Sequence, residues 1–162
     1  MPDDAAFMRR ALTLARRGAR RPGGAAIGCV IVRGGTVLGA AHNEVALRHD
    51  PTAHAEMVAI RRACAKLRCD DLRGAALYST LQPCGMCSMA SIWAKLSRVV
   101  YGAGRDDVHR MYFEDRHLDT MDFIADAFRG DITLTGSVLA AECAALYPPP
   151  DAPVPRDEQA NL

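Results

Sequence analysis

The sequence lacks the features of a membrane or secreted protein. No stretch of its 162 residues approaches the run of about 18 or more apolar residues that marks a transmembrane helix. Its opening, Met1-Pro2-Asp3-Asp4, is acidic where a secretory signal carries basic residues before an apolar segment. We therefore expect a cytoplasmic protein with no membrane partner.

The chain also has almost no net charge, +1 at pH 7. Nucleic-acid-binding domains usually carry a strongly basic face, so this balance favours a small-molecule substrate. Basic residues do concentrate in the first predicted helix, where the solvated side of an amphipathic helix is the alternative to a nucleic-acid patch. They are Arg9, Arg10, Arg16, Arg17, Arg20 and Arg21. We expect the solvated helix face.

No internal repeat or linker divides the chain, which is 49% apolar. Such a composition suits one compact domain, predicted here over residues 1–147. Five prolines between positions 148 and 155 disfavour a helix or strand there. Residues 148–162 are therefore predicted to form a proline-rich, acidic tail.

Hydrophobic periodicity predicts alternating helices and strands. The helices are expected at 4–18 with Asp4 as the cap, at 53–66, at 84–94, in one or two short pieces between 106 and 128, and at 137–146. The strands are expected at 27–32 and 37–41, as a hairpin, and at 75–79, 98–101 and 132–135. The βαβαβ order favours an α/β fold in which the middle strands are parallel and helices cover the sheet.

Two short motifs carry the chemistry of the chain: His54-Ala55-Glu56 and Pro83-Cys84-Gly85-Met86-Cys87. His54, Cys84 and Cys87 supply three zinc ligands, and a catalytic zinc keeps a water in its fourth position. Cysteines three apart share one side of a helical turn, and a helix N-terminus stabilises thiolates. Glu56 is then a candidate general base and acid.

Other interpretations of the motifs stay open at this point. A CxxC pair alone is compatible with a thioredoxin-like redox motif. A closed structural zinc site would recruit a fourth ligand, for which the sequence offers His42, His49, His109 and His117. In that case Glu56 would be a surface residue.

The pairing of HxE with PCxxC resembles the signature of zinc nucleobase deaminases. The chain is similar to the cytidine deaminase-like superfamily over most of residues 5–147, and 50–56 resembles bacterial guanine deaminases and tRNA adenosine deaminases. The resemblance implies a three-layer α/β/α sandwich with a five-stranded mixed sheet. It also implies Zn²⁺ held by His54, Cys84 and Cys87, Glu56 as proton shuttle, and a homodimer.

The same resemblance suggests residues that bind substrate. Asn43 stands where both kinds of relative carry an asparagine that bonds the base, and Trp93 matches an aromatic at the pocket edge of guanine deaminases. Glu114 and Asp115 match an acidic pair, of which Asp115 corresponds to the residue that contacts the guanine edge. The alternatives are a turn residue for Asn43, a core residue for Trp93 and a solvated loop for the acidic pair.

Three further positions bear on substrate choice. Ile27 replaces the aromatic residue that stacks on purine in guanine deaminases, and Gln82 replaces the usual glutamate before the Pro-Cys pair. Glu142 lies where some guanine deaminases carry a glutamate that closes the site; it is a candidate second proton shuttle, or a helix-surface charge.

These observations predict a zinc-dependent deaminase of a free nucleobase, guanine or a close purine or azine analogue. Backbone N–H groups near Ala55 and Cys84 are expected to hold the tetrahedral intermediate. The acidic C-terminal end disfavours tRNA adenosine deamination, which stays an alternative. Deamination of cytosine, isocytosine, an s-triazine or a nucleoside is another alternative, and a non-catalytic zinc protein is the last.

Overall fold

A computed structural model describes residues 3–113, 119 and 121–159. The elements are, in chain order, α1 (Asp4–Ala19), β1 (Gly28–Arg33), β2 (Thr36–His42), α2 (Val45–Arg48), α3 (Ala55–Leu67), β3 (Ala75–Leu81), α4 (Gly85–Trp93), β4 (Arg98–Ala103), a 3-10 turn (Arg110–Tyr112), α5 (Asp122–Ala125), β5 (Thr133–Thr135), α6 (Ala140–Ala144) and a second 3-10 turn (Arg156–Glu158). No helix within these ranges is long and apolar enough to cross a membrane.

The sheet has the strand order β2-β1-β3-β4-β5. β1 pairs antiparallel with β2, which confirms the predicted hairpin, and also antiparallel with β3. The β3–β4 and β4–β5 pairs are parallel, as the alternation of strands and helices predicts. The sheet is therefore mixed and changes direction at β3, the strand that leads into the PCxxC motif.

Helices cover both faces of the sheet, and alternate residues of each strand point to different layers. On β1, Cys29 and Ile31 belong to the apolar cluster that includes α3, whereas Val30 and Val32 belong to the cluster that includes α1. The first cluster also takes in residues of α5, and the second takes in Cys143 of α6. This arrangement confirms the predicted three-layer α/β/α sandwich.

Two glycines let the helices lie close against the hairpin. A Cβ on Gly28 would come within 2.0 Å of the Ala11 carbonyl oxygen in α1. A Cβ on Gly39 would come within 2.2 Å of the Ala59 carbonyl oxygen in α3. Glycine is therefore required at position 28 against α1 and at position 39 against α3, because any larger side chain would overlap the helix backbone.

The start of α1 differs from the prediction in which residue caps it. Asp3, not Asp4, is the N-cap, and its Oδ1 accepts the Ala6 N–H at 3.0 Å. Asp4 instead accepts two hydrogen bonds of 2.7 Å from Arg98 of β4 and one of 2.9 Å from the Tyr78 hydroxyl of β3. The carboxylate is engaged by the sheet, so the preceding residue supplies the cap.

The last predicted helix is shorter than its apolar pattern suggests. It covers Ala140–Ala144, because Ser137 and Leu139 have positive φ angles of 61° and 55° that interrupt helical geometry. Beyond it, the Pro148 carbonyl accepts the His109 N–H at 2.8 Å, and a single 3-10 turn follows Pro155. The division into a domain at 1–147 and a tail at 148–162 stays a prediction.

Candidate metal centre and active site

Two helix N-termini supply the predicted metal ligands. His54 is the N-cap of α3, Cys84 is the N-cap of α4, and Cys87 lies in the first turn of α4. Neither N-cap side chain makes a capping hydrogen bond to its own helix. Both side chains therefore extend away from the helix ends that present them, toward each other.

The three ligand atoms converge on one point. His54 Nδ1 lies 3.6 Å from Cys84 Sγ and 3.7 Å from Cys87 Sγ, and the three ligand atoms all lie within 4.8 Å of one another. A tetrahedral zinc with bonds of about 2.0 Å to nitrogen and 2.3 Å to sulfur would separate these atoms by about 3.5 Å. The donor types and their spacing therefore fit Zn²⁺.

Within the described ranges, His54, Cys84 and Cys87 are the one group of such side chains close enough to share an ion. His42 Nδ1 contacts the Asn43 carbonyl at 2.7 Å, and His109 Nδ1 accepts the Met111 N–H at 3.2 Å. His49 is exposed, and His117 lies outside the described residues. The three-ligand arrangement is that of a catalytic rather than a closed structural site.

Hydrogen bonding makes one thiol strongly acidic. The side chain of Cys87, the ring of His54 and the Cys87 backbone N–H lower the pKa of the Cys84 thiol to about 4, although burial opposes them. The hydrogen bond to Cys84 and burial raise the pKa of Cys87 well above its usual value. The two thiols are thus driven apart in acidity, and binding of a metal to both sulfurs would release their protons.

Glu56 lies beside the ligands in a nearly dry position. Its side chain is 3% exposed, Oε1 accepts the Ser79 hydroxyl at 2.9 Å, and Oε2 lies 3.7 Å from Cys87 Sγ. Burial and the neighbouring Cys84 charge raise the pKa of Glu56. A carboxyl group with a raised pKa next to a metal centre is suited to accept and return a proton.

Asn43 directly follows β2 and is a turn residue. Its Oδ1 accepts the Val45 N–H at 3.2 Å, and its N–H donates to the Ile27 carbonyl at 2.9 Å. The next amide, of Glu44, donates to the carbonyl of Ala53, the residue before His54. The turn that contains Asn43 is therefore hydrogen-bonded, through Glu44, to the segment that leads into His54.

The structure places the remaining predicted substrate-binding residues in different surroundings. Ala55 is buried in the first turn of α3, beside the ligands. Trp93 is the last residue of α4 and is 78% exposed, so the interpretation as a core residue is wrong. It lies about 13 Å along the helix axis from Cys84, at the opposite end of α4 from the metal ligands. Glu114 and Asp115 lie outside the described residues.

The structure places Glu142, the predicted second proton shuttle, on the surface of α6. Its side chain is exposed on α6, whose buried Cys143 packs in the cluster formed with α1. That cluster lies on the opposite face of the sheet from α3, which carries Glu56. The surface interpretation fits this position, and the role of a second proton shuttle stays a prediction.

Sequence reasoning missed Ser79, the hydroxyl that holds Glu56. Its signal is a pair of hydroxyl residues, Ser79 and Thr80, in the mostly apolar β3, both at 0% exposure. A buried hydroxyl needs a hydrogen-bond partner, so its presence in a core strand indicates a polar group nearby.

The structure also explains why residue 82 is a glutamine. Gln82 Nε2 donates to Asp119 Oδ1 at 2.9 Å, while Oε1 accepts the Arg105 N–H at 3.2 Å. A glutamate would direct a second carboxylate at Asp119. The amide is therefore matched to its neighbours rather than to the metal.

This site combines a buried carboxyl group with a His-Cys-Cys cluster at two helix ends of a mixed α/β sheet, which is the arrangement of zinc-dependent nucleobase deaminases. Residues 1–103 match the cytidine and deoxycytidylate deaminase zinc-binding region. The chain belongs to this family, and it is a deaminase.

Its relatives differ in substrate. The guanine deaminase of Bacillus subtilis (strain 168) is 40% identical over 109 residues, 67% of this chain and 70% of that protein. The tRNA-specific adenosine deaminase of Aquifex aeolicus (strain VF5) is 43% identical over 97 residues, 60% of this chain and 64% of that protein. The solved guanine deaminase of Nitrosomonas europaea superposes with a TM-score of 0.76 at 29% identity, covering 90% of this chain and 82% of that one. Both substrate classes are thus represented at similar distance.

Proposed function

We propose that this deaminase removes the exocyclic amine of a free nucleobase, guanine or a close purine or azine analogue. The observation that carries the proposal is the C-terminal end of the chain. Helix α6 has the sequence AAECA, with an acidic and no basic residue, and the segment that follows it has prolines, three acidic residues (Asp151, Asp157 and Glu158) and one basic residue, Arg156. A segment of this kind is poorly suited to RNA phosphates, because these are bound by basic side chains.

The chemistry rests on four side chains of the site. Zn²⁺ held by His54, Cys84 and Cys87 would act as a Lewis acid that lowers the pKa of water to about 7. Glu56 takes one proton of the attacking water and passes it to the ring nitrogen, and it then carries the second proton of that water to the amine. The water oxygen bonds to the ring carbon, the carbon–nitrogen bond breaks, and ammonia leaves.

Backbone and side-chain groups around Glu56 would hold the substrate. The N–H groups near Ala55 and Cys84 lie at helix N-termini, where amides lack intrahelical partners and favour developing negative charge. Asn43 would bond the base, and Asp115, with Glu114 beside it, would accept N–H groups from the edge of guanine. These assignments are proposals that extend the motif pattern.

Deamination of adenosine in tRNA is the second candidate. The 43% identity to the Aquifex aeolicus enzyme favours it, as do the exposed arginines of α1, such as Arg9, Arg10, Arg16 and Arg17. Tight binding to an anticodon stem-loop that weakens steeply with salt would support this candidate.

The test is ammonia release by the zinc-loaded protein from a substrate panel. It contains guanine, adenine, cytosine, isocytosine, ammeline, the nucleosides and an anticodon stem-loop. Turnover confined to guanine or small azines supports the proposal. Turnover of the stem-loop alone overturns it, and a zinc-loaded protein that turns over nothing supports a non-catalytic zinc protein.

We further propose a cytoplasmic homodimer. Trp93 and Met89 lie four residues apart on α4, and are 78% and 40% exposed. Residues at this spacing share a helix face, and exposed apolar side chains of this size are typical of contact surfaces. Light scattering after gel filtration should give twice the chain mass of 17.5 kDa, and Trp93→Ala should shift the protein toward the single-chain mass. A single-chain mass for the unmodified protein at micromolar concentration would contradict the dimer.

A further inference from the structure

A chain of buried hydrogen bonds connects the C-terminal end of the domain with the segment around Ile27. We propose that Tyr147 and Thr80 are positioning residues that fix Ile27 and Asn43 for substrate binding. The proposal rests on the proposed function, in which Asn43 bonds the base, and it adds that Ile27 faces the same substrate.

The hydrogen bonds run in a single direction. The Gly28 N–H donates to Thr80 Oγ1 at 3.1 Å, and the Tyr147 hydroxyl donates to the Ala26 carbonyl at 2.9 Å. Thr80 Oγ1 and the Tyr147 oxygen lie 3.0 Å apart. Because the Tyr147 proton is directed to Ala26, the Thr80 hydroxyl must donate to the Tyr147 oxygen. Every hydroxyl proton therefore has one acceptor.

The two ends of this chain flank Ile27. Ala26 provides the carbonyl before Ile27, and Gly28 provides the amide after it, so the main chain of Ile27 is held on both sides. The Ile27 carbonyl in turn accepts the Asn43 N–H at 2.9 Å. Tyr147 therefore holds the segment that contains Ile27, and Ile27 in turn is hydrogen-bonded to Asn43.

The environment of Tyr147 keeps this connection rigid. Thr80 is 0% and Tyr147 6% exposed, and the Tyr147 ring packs edge-on against Tyr112 with the ring centroids 5.0 Å apart. Burial raises the pKa of Tyr147 well above its usual value, so the hydroxyl stays a donor throughout the assay range. Removing it would leave the half-buried Ala26 carbonyl and the fully buried Thr80 hydroxyl without this partner.

Ile27 is the point at which these hydrogen bonds would reach the substrate. Its half-buried side chain packs against both apolar clusters, and it occupies the position that is aromatic in guanine deaminases. A small shift of segment 26–28 would move Ile27 and Asn43 together. Because Glu56 and the metal ligands lie on other elements, such a shift should change substrate affinity more than the chemical step.

The experiment compares Tyr147→Phe with Tyr112→Phe in the full-length zinc-loaded protein. Both substitutions remove one hydroxyl from two rings that pack edge-on, but only Tyr147 donates to Ala26 among the described residues. For whichever substrate of the panel is turned over, Tyr147→Phe should raise KM about tenfold, as expected for one lost hydrogen bond. Its kcat and zinc content should stay within twofold, and Tyr112→Phe should match the unmodified protein. A fall in kcat and zinc content at constant KM would show a merely structural role and overturn the proposal.

Amide hydrogen exchange provides a readout that needs no substrate. The Gly28 and Asn43 amides should exchange at least about tenfold faster in Tyr147→Phe, while the Val58 amide, bonded to the His54 carbonyl in α3, should be unchanged. Equal exchange at Gly28 and Asn43 in both proteins overturns the positioning role. If the unmodified protein turns over no substrate, the proposed function fails, and the exchange rates still decide the role of Tyr147.

Discussion

At the scale of single residues, the surroundings of Glu56 raise the pKa of its carboxyl group, which suits it to accept and return a proton. Ser79 fixes one oxygen at 2.9 Å, and the other lies 3.7 Å from a metal-ligand sulfur. Glu56→Gln preserves the size of the side chain but cannot carry the proton. We expect turnover to fall by about 10³-fold, with zinc content, measured by plasma mass spectrometry, unchanged.

Ser79→Ala is the matched control for Glu56→Gln. It leaves the carboxyl group in place and removes one hydrogen bond, so a loss of about tenfold is expected. If Glu56→Gln retained activity within a few-fold of the unmodified protein, Glu56 would not be the proton carrier.

At the scale of elements, the first turn of α1 is joined to the sheet by Asp4 and Arg98, whose side chains are each 26% exposed. The hydrogen bond from Arg98 lowers the pKa of Asp4. A lowered folded-state pKa stabilises the fold above the unfolded value of about 3.9, and this contribution is lost as the pH falls through the folded value. Solvent screens the pair, so Asp4→Asn should lower the free energy of unfolding at pH 7 by about 1 kcal/mol.

The difference between Asp4→Asn and the unmodified protein should shrink as the pH drops below about 4, because Asp4 is protonated first in the unfolded chain and then, at its lowered pKa, in the folded protein. Urea unfolding from pH 7 to pH 3 measures it, with Asp151→Asn in the exposed tail as the control. A difference that stayed constant over this range would show that the ion pair is not its source.

The contact between β2 and α3 gives a second prediction at this scale. A methyl group on Gly39 would overlap the Ala59 carbonyl in α3. Because α3 also carries His54 and Glu56, the helix cannot move away without displacing the site. Gly39→Ala should lower the free energy of unfolding by about 3 kcal/mol. Gly130→Ala, where a Cβ meets nothing within 4 Å, should be nearly neutral in the same urea titration.

At the scale of the whole molecule, metal binding should stabilise the fold because the ligands come from two separate helices. Zinc at a hundredfold excess over its dissociation constant would contribute about 2.7 kcal/mol, equivalent to about 8 °C in Tm for a domain of this size. Cys84→Ser should lose this zinc-dependent increase in calorimetry. Cys69→Ser, which alters an exposed thiol, should keep it, and an equal response of both variants to a chelator would contradict the assignment.

Much of the fold followed from local sequence. Apolar periodicity placed α1, the hairpin, α3 and the parallel strands within a few residues, because each of these elements buries a regular stripe or face. It could not give the strand order, which depends on pairing between distant segments such as β1 and β3. It also overextended the last helix, because the positive φ angles of Ser137 and Leu139 are set by packing rather than by propensity.

The metal ligands were predictable because their spacing is local, whereas the contacts around them were not. Ser79 meets Glu56 across 23 positions and Tyr147 meets Thr80 across 67. Trp93 reads as a core residue in an apolar helix but is exposed, since α4 turns that side away from the sheet. Such relations arise from tertiary packing, which a single sequence does not encode position by position.

The absence of capping hydrogen bonds from His54 and Cys84 has a consequence for how the protein is built. A serine or aspartate at an N-cap would normally accept hydrogen bonds from the first free amides of its helix. Here the two N-cap positions are occupied instead by His54 and Cys84, which would bind the metal. The ion would therefore serve as a common cap for α3 and α4, with its positive charge offset by thiolate. Metal loss should fray the first turns of both helices at once, so assembly of the reaction centre and completion of these helices would be a single event.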